Sequence, residues 1–339
     1  ARAANPNAHV ALWPYSASNT WSRDDTAQAR LIERLPPGMI LLTEFAKEGD
    51  IRFDGITIPA YDYPISLLGP SERFLRQSEL ARNHGLGFWA KAEHAIALEF
   101  VQTPYIPVFF QWAERFRRIR ESPGVTAVFA NWMHYGFTPS LAAEVFYWNL
   151  WDHSEDAETV LGRLAARDFG DAAAPSALRA WRLFSEAIRE YPFTGAMAMG
   201  VLQTGPAHPL FLDPAYRPAH GAGRQFKNDL SWTRPWGPEL ALTQLEKMSA
   251  RWSAGVDLLE QARSRAPAER RLNVDRELGI ARALLACMRS AGNVARFYSL
   301  REQLATTTAA TERKDLYRRM ERVARAELDN AREALPAVC

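Results

Sequence analysis

Gly124-Val125-Thr126-Ala127-Val128-Phe129-Ala130-Asn131-Trp132-Met133-His134-Tyr135-Gly136-Phe137-Thr138-Pro139-Ser140 decides the reading of this chain. The run from Val125 to Ala130 is apolar enough for a buried β-strand. Its far end turns abruptly polar and aromatic. A helix is predicted to open next, with Pro139 near its first turn and Ser140 as its cap. Polar and aromatic residues at a strand tip, just before a helix, stand where parallel α/β proteins carry their chemistry.

Upstream, the same plan occurs three more times. His9 to Tyr15 reads as a strand ending in Trp13, Pro14, Tyr15 and Ser16, followed by a helix from about Arg23 to Leu35 that Pro36-Pro37-Gly38 closes. Met39 to Thr43 is a second apolar strand, ending Thr43-Glu44-Phe45. Residues 49–70 read as one long connection containing Tyr61-Asp62-Tyr63-Pro64, of the kind that shapes a site. A helix from Ser71 to His84 with Gly85 past its end leads to a third strand, Gly87 to Glu93. A loop ending Thr103-Pro104-Tyr105-Ile106-Pro107 and a helix from Val108 to Arg120 then return the chain to Val125.

Alternating strands and helices of this kind imply parallel strands joined by right-handed crossovers. A closed β/α barrel has eight such units, and only the four just traced are present. The expected class is therefore α/β: half of a TIM-type β/α barrel over residues 1–153, then an all-α helical domain over 154–339. Half a barrel exposes two strand edges. The reading therefore calls for a partner, either a missing N-terminal barrel half or a second chain. Ala1 to Pro6 resemble the tail of a helix, and Cys339 follows a long helical pattern. The expectation is a piece of a longer protein, in which the lack of a targeting segment carries no information about location.

Helical periodicity dominates residues 155–169, 175–191, 238–266, 269–291 and 293–334. Between them, 192–237 is rich in Pro and Gly and holds Gln203-Thr204-Gly205-Pro206-Ala207-His208-Pro209. It is expected to form a flap over the strand tips.

Composition removes several classes. The chain has 339 residues, 47% of them apolar, and a net charge of +2. No apolar run approaches the roughly 20 residues that cross a bilayer, so no membrane span is expected. Arginines are dispersed opposite glutamates, which argues against a nucleic-acid surface. Cys287 and Cys339 are too few for a disulfide framework. No GxGxxG, P-loop or GxSxG motif is present, and the histidines are scattered. No metal or organic cofactor is called for.

What remains at the strand tips is carboxylates and aromatic rings, the materials of sugar chemistry. Glycosidic cleavage uses one carboxyl as acid and another as nucleophile or base. Glu44, Glu93 and Glu99 are the candidates. Glu44 ends a strand, and its bland reading is a solvated partner of Lys47. Lys91 and Glu93 alternate on one strand face, so an ion pair between them is expected. Glu99 lies among Ala97, Leu98 and Phe100, an apolar setting that raises a carboxyl pKa. Trp13, Tyr15, Trp132 and Tyr135 are the rings on which a sugar face can stack, with Asn131, His134, Lys91 and His208 as further substrate-binding candidates. Trp89, Trp148 and Trp151 are expected in the core.

Several blocks resemble a bacterial family of β/α-barrel proteins grouped with glycoside hydrolases. They are Tyr61-Asp62-Tyr63-Pro64-Ile65-Ser66 with Gly69-Pro70, Glu99-Phe100 leading to Pro104-Tyr105, His134 to Ser140, Ala166-Arg167-Asp168-Phe169-Gly170, and Gly205 to Leu210. The resemblance implies a catalytic face like that of retaining β-hexosaminidases and α-glucuronidases, with a helical domain after the barrel. It places Glu99 at the acidic position before the Pro-Tyr turn, and His134 and Tyr135 against the sugar. Residues 94–98, His-Ala-Ile-Ala-Leu, depart from the pattern, and the family's first four barrel strands have no counterpart. The leading expectation is a glycoside hydrolase-like protein. The alternatives are a non-catalytic carbohydrate-binding protein on the same scaffold and a helical protein-interaction scaffold.

Overall fold

The computed structural model describes residues 5, 7–15, 28–60, 63–130, 140–151, 155–217 and 226–338. Its core is a four-stranded parallel sheet. The strands are β1 (Ala11–Leu12), β2 (Ile40–Glu44), β5 (Gly87–Ala92) and β6 (Val125–Ala130), paired in that spatial order. Adjacent strands come in chain order through helices α1 (Ala29–Ile32), α2 (Glu72–Asn83) and α3 (Phe109–Glu121). That is the connectivity of β/α units. The fold is mixed α/β with a parallel sheet and many helices; both edges of the sheet, β1 and β6, are open among the described residues.

Strand register sorts the side chains. β2 pairs with β5 so that Thr43 lies opposite Ala90 and Glu44 opposite Lys91. Side chains alternate between faces with period two. Thr43 donates to Gln77 Oε1 at 2.8 Å, and the Phe88 ring lies 5.0 Å from that of Phe74. Both partners are on α2, so Thr43 and Phe88 face the helix layer. Glu44, Trp89 and Lys91 consequently face the other way, as does Phe129, which is paired with Lys91 across β6.

Local chemistry sets the element ends. Ser71 accepts from Phe74 N at 3.2 Å and starts α2, while Gly85 follows it at φ 65°. Ser140 Oγ accepts from Ala143 N at 3.3 Å, capping α4 (Leu141–Trp151) as its sequence implies. The connection 49–70 is not all loop. It contains a two-stranded antiparallel hairpin, β3 (Asp50–Phe53) and β4 (Ile56–Pro59). Asp54 and Gly55 turn it with φ of 47° and 78°, the double positive φ of a tight Asp-Gly turn.

The helical part comprises α5 (Ala157–Phe169), α6 (Ala174–Ala187), the short α7 (Gly195–Ala198) and α8 (Val201–Thr204), and the long α9 (Pro238–Arg265), α10 (Arg271–Thr306) and α11 (Ala310–Val338). The expected break near residue 292 is absent: α10 runs through Gly292 and ends at Thr306. Thr307 leaves it in extended conformation, φ −83° and ψ 127°. Three successive threonines weaken a helix more than one glycine packed beside a neighbour. Gly255 permits the close crossing of α9 and α6, because a Cβ there would lie 2.4 Å from Phe184 Cε1. Phe184 and Trp252 stack at 4.4 Å, and Trp252 Nε1 donates to Ala281 O at 2.9 Å.

Segment 192–237 is built rather than loose where described. Its short helices pack against the Leu98–Phe100 turn and α10, and Gln102 donates to Leu202 O at 3.1 Å. Trp236 packs its ring edge-on to Phe53 at 5.5 Å and donates to Pro192 O. The segment is thus a wedge between the β3–β4 hairpin, the 98–102 turn and α10. Trp148 and Trp151 are not core residues; they are 46% and 87% exposed on α4. Helix α4 is apolar on nearly every side, and its sequence does not tell which side is covered.

Candidate site at the strand ends

Three strand ends converge on one indole. Trp13, just past β1, donates its Nε1–H to Glu44 Oε1 at 2.9 Å. Glu44 Oε2 accepts from Arg73 Nη1 at 2.8 Å, and Lys47 Nζ lies 3.8 Å from Oε1. Glu44 is fully buried, so the solvated reading of this residue fails. Burying an ionised carboxylate requires such partners. Arg73 sits in the first turn of α2 and also reaches Gln28 Oε1 at 3.1 Å.

One strand over, Lys91 donates to Glu93 Oε1, and neither side chain has measurable exposure. The Lys91 ammonium is also ringed by π faces: Tyr63 at 4.6 Å, Trp13 at 5.8 Å and Phe129 at 5.9 Å. Tyr15 stacks on Tyr63 at 6.1 Å and holds Lys47 both by its carbonyl at 2.9 Å and by its ring at 4.1 Å. Trp13, Tyr15, Glu44, Lys91 and Glu93 therefore form one cluster. Glu93 Oε2 has no hydrogen-bond partner among the described residues.

Glu99 lies beneath the loop at 63–69. Its Oε1 accepts from Ser66 N at 2.8 Å, and its Oε2 is without a partner among the described residues. Burial raises its pKa, against the lowering effect of Ser66. Arg115 of α3 donates to the Pro64 and Leu67 carbonyls. Burial lowers its pKa to about 10, opposed by the charges of Glu99 and Glu93. Arg115 thus stands in the field of both carboxyls. Gln111 Nε2 to Ile65 O at 2.9 Å and Arg118 Nη1 to Gly69 O at 2.8 Å complete the grip of α3 on the loop that carries Tyr63.

His208 is placed elsewhere. Its ring packs against Phe211, Phe226 and Tyr298, the last on α10. Burial lowers its pKa to about 4. It anchors the 192–237 segment to the helices and makes no contact with the strand-end cluster through these groups. Asn131, Trp132, His134 and Tyr135 lie outside the described residues.

Sequence reading missed Arg73, Arg115 and Phe129 as members of the site. A carboxylate at a strand end beside a first-turn arginine on the next helix was the available signal for Arg73. Tyr63 was quoted within a motif but not placed against Lys91. Among the described residues no group of His, Cys, Asp and Glu is arranged to hold a metal ion, and no described helix is long and apolar enough to cross a membrane. Two hollows lie away from these carboxylates. One of about 750 Å³ runs along α9, α10 and α11, and one of about 360 Å³ lies on α4.

The architecture has a counterpart among solved structures. A GH138 enzyme targeting pectin rhamnogalacturonan II superposes with a TM-score of 0.53 at 9% sequence identity, covering 88% of this chain and 37% of that one. The likeness is one of fold alone. The chain spans a little over a third of that enzyme's length. The sequence matches no protein-family model and no curated protein.

Proposed function

We propose that this chain is the carbohydrate-acting part of a glycoside hydrolase-like protein, built as the C-terminal half of a β/α barrel plus a helical domain. The observation that carries the reading is the meeting of Trp13, Glu44, Lys91 and Glu93 at the carboxyl ends of adjacent parallel strands. That is where β/α proteins place substrate. Trp13 and Tyr15, both half-buried, supply stacking surfaces, while Tyr63, Lys91 and Lys47 are buried beside them and meet a hydroxyl or carboxylate group only when the strand ends open. Glu99, whose pKa burial raises, is suited to hold a proton for a leaving group. Glu93, with one oxygen unengaged among the described residues, is the second carboxylate of the pair. Glu44 has both oxygens engaged by Trp13, Lys47 and Arg73 and serves as the electrostatic anchor. Pectic oligosaccharides are the first substrates to try, by analogy with the GH138 enzyme.

A second reading, sugar binding without turnover, is favoured by one fact. Glu44, Glu93 and Glu99 are all fully buried. The experiment that separates the two is hydrolysis and binding measured side by side on pectic oligosaccharides and aryl glycosides. Hydrolysis that falls about 10²–10⁴-fold in Glu99→Gln supports catalysis. Binding without hydrolysis, lost in Trp13→Ala, supports the second reading, and neither activity sinks both.

A further inference from the structure

We infer that Arg115 is a positioning residue for the carboxyl pair: its fork fixes the loop that holds Glu99, and its charge keeps Glu99 able to release a proton. The inference rests on the proposed role of Glu99 as the group that holds a proton for the leaving group. Gln111, Arg115 and Arg118 stand at i, i+4 and i+7 on α3, which puts them on one face of the helix. Gln111 Nε2 donates to Ile65 O at 2.9 Å, Arg115 Nη2 to the Pro64 and Leu67 carbonyls, and Arg118 Nη1 to Gly69 O at 2.8 Å. The carbonyls of residues 64, 65, 67 and 69 are therefore all held by α3. Ser66, between them, gives its N–H to Glu99 Oε1 at 2.8 Å.

Arg115 differs from its neighbours in how its charge is met. Arg118 reaches Glu114 at 2.8 Å. The described partners of Arg115 are the two carbonyls and the Trp112 ring at 5.9 Å, and its Nε has none. The side chain is buried, and a buried cation without an ion pair is costly. A neutral amide would hold a carbonyl at less cost, as Gln111 does one turn earlier on the same face. The charge is explained by what surrounds it: Glu99 and Glu93, both fully buried, act on Arg115 through space.

The two carboxyls are not served equally. Glu93 already has Lys91 as its ammonium partner. Tyr191, buried with its ring 5.8 Å from that of Phe100, also lies in the field of Glu99 and is held neutral by burial. Among these groups Arg115 is the cation left to answer Glu99. Burial by itself would lock the proton on Glu99, whereas a general acid must give its proton up and recover it. A cation that acts without clamping the carboxyl meets that need and leaves Glu99 Oε2 without a partner among the described residues.

The side-chain carboxyl carbon of Glu99, followed by ¹³C NMR in the intact chain and assigned by its loss in Glu99→Gln, reads this role without any sugar. Arg115→Gln keeps a donor for the loop and removes the charge. It should raise the Glu99 titration midpoint by about one pH unit, the low end of what an opposite charge contributes. Arg115→Lys keeps a charge and gives up the fork. The midpoint should then move less than half as far, while the Ser66 amide exchanges with solvent faster than in the unaltered chain. Circular dichroism checks that each variant is folded. An unmoved midpoint in folded Arg115→Gln overturns the inference. So does Arg115→Lys if its midpoint moves as far as that, or if its Ser66 amide exchanges at the unaltered rate, and this variant decides the matter should Arg115→Gln fail to fold. Shifts as expected in a chain that hydrolyses no glycoside would remove the glycosidase reading and leave the hold of Arg115 on Glu99 standing. An active chain with an unmoved midpoint would do the reverse.

Discussion

Trp13 and Glu44 are joined by an Nε1–H to Oε1 hydrogen bond of 2.9 Å that links the end of β1 to the end of β2. The strand β1 itself contributes only two residues to the sheet. Its position therefore depends on this side-chain tie more than on its ladder. Trp13→Phe keeps the ring and removes the donor. It is expected to cost about 1–3 kcal/mol, as for a buried hydrogen bond to a charged group, read from the urea midpoint.

Lys91→Met leaves the Glu93 carboxylate buried without its ammonium partner. Loss of one member of a buried pair costs about 3–5 kcal/mol. Lys91→Met with Glu93→Gln should recover a large part of that loss. A double-mutant cycle in denaturant checks it; simple additivity would show that the two groups are not coupled.

Two buried groups give opposing pH dependences. Glu277 accepts from Trp181 Nε1 at 3.1 Å and from the Tyr105 hydroxyl, and burial raises its pKa from 4.5 to about 7. The folded state therefore holds a proton that the unfolded chain has released, and stability falls as pH rises from about 4.5 to 7. The full effect is on the order of 3 kcal/mol. His208 works the other way: its folded pKa of about 4 lies below 6.5, so stability rises with pH across that interval. Glu277→Gln should make stability rise more steeply between pH 4.5 and 6.5. His208→Asn should make it fall there. Unchanged slopes in thermal melts at several pH values would contradict both assignments.

Gly255→Ala places a methyl against Phe184, which a Cβ would approach to 2.4 Å. The α6–α9 crossing must open to admit it, at a cost of about 1–3 kcal/mol typical of overpacking. A lowered melting temperature with unchanged helical content is expected.

The sheet was legible because β2 and β5 are short apolar runs bounded by turn residues. The Lys91–Glu93 pair was legible from period-two alternation alone. The β3–β4 hairpin was overlooked although Asp54-Gly55 is a strong turn signal and Ile51, Phe53, Ile56 and Ile58 alternate with their neighbours, because each strand is only four residues long. Trp148 and Trp151 look like core residues in any window, because periodicity has no meaning in a helix that is apolar all round. Arg115 could not be separated from surface arginines by sequence, and Arg73 only by its place in the first turn of the helix after the strand that ends in Glu44. Their roles come from carboxylates and carbonyls 29 to 51 positions away along the chain. His208 sits in a conspicuous Gly-Pro-Ala-His-Pro motif, but its surroundings are set by Tyr298 on α10.

The most direct measurement is a crystal structure of the protein with a bound pectic oligosaccharide. The expected result is a sugar ring stacked on Trp13, Tyr15 or Tyr63, with a glycosidic oxygen within hydrogen-bonding reach of Glu93 or Glu99. Oligosaccharide seated only in the groove along α9, α10 and α11, with the strand ends still closed, would contradict it.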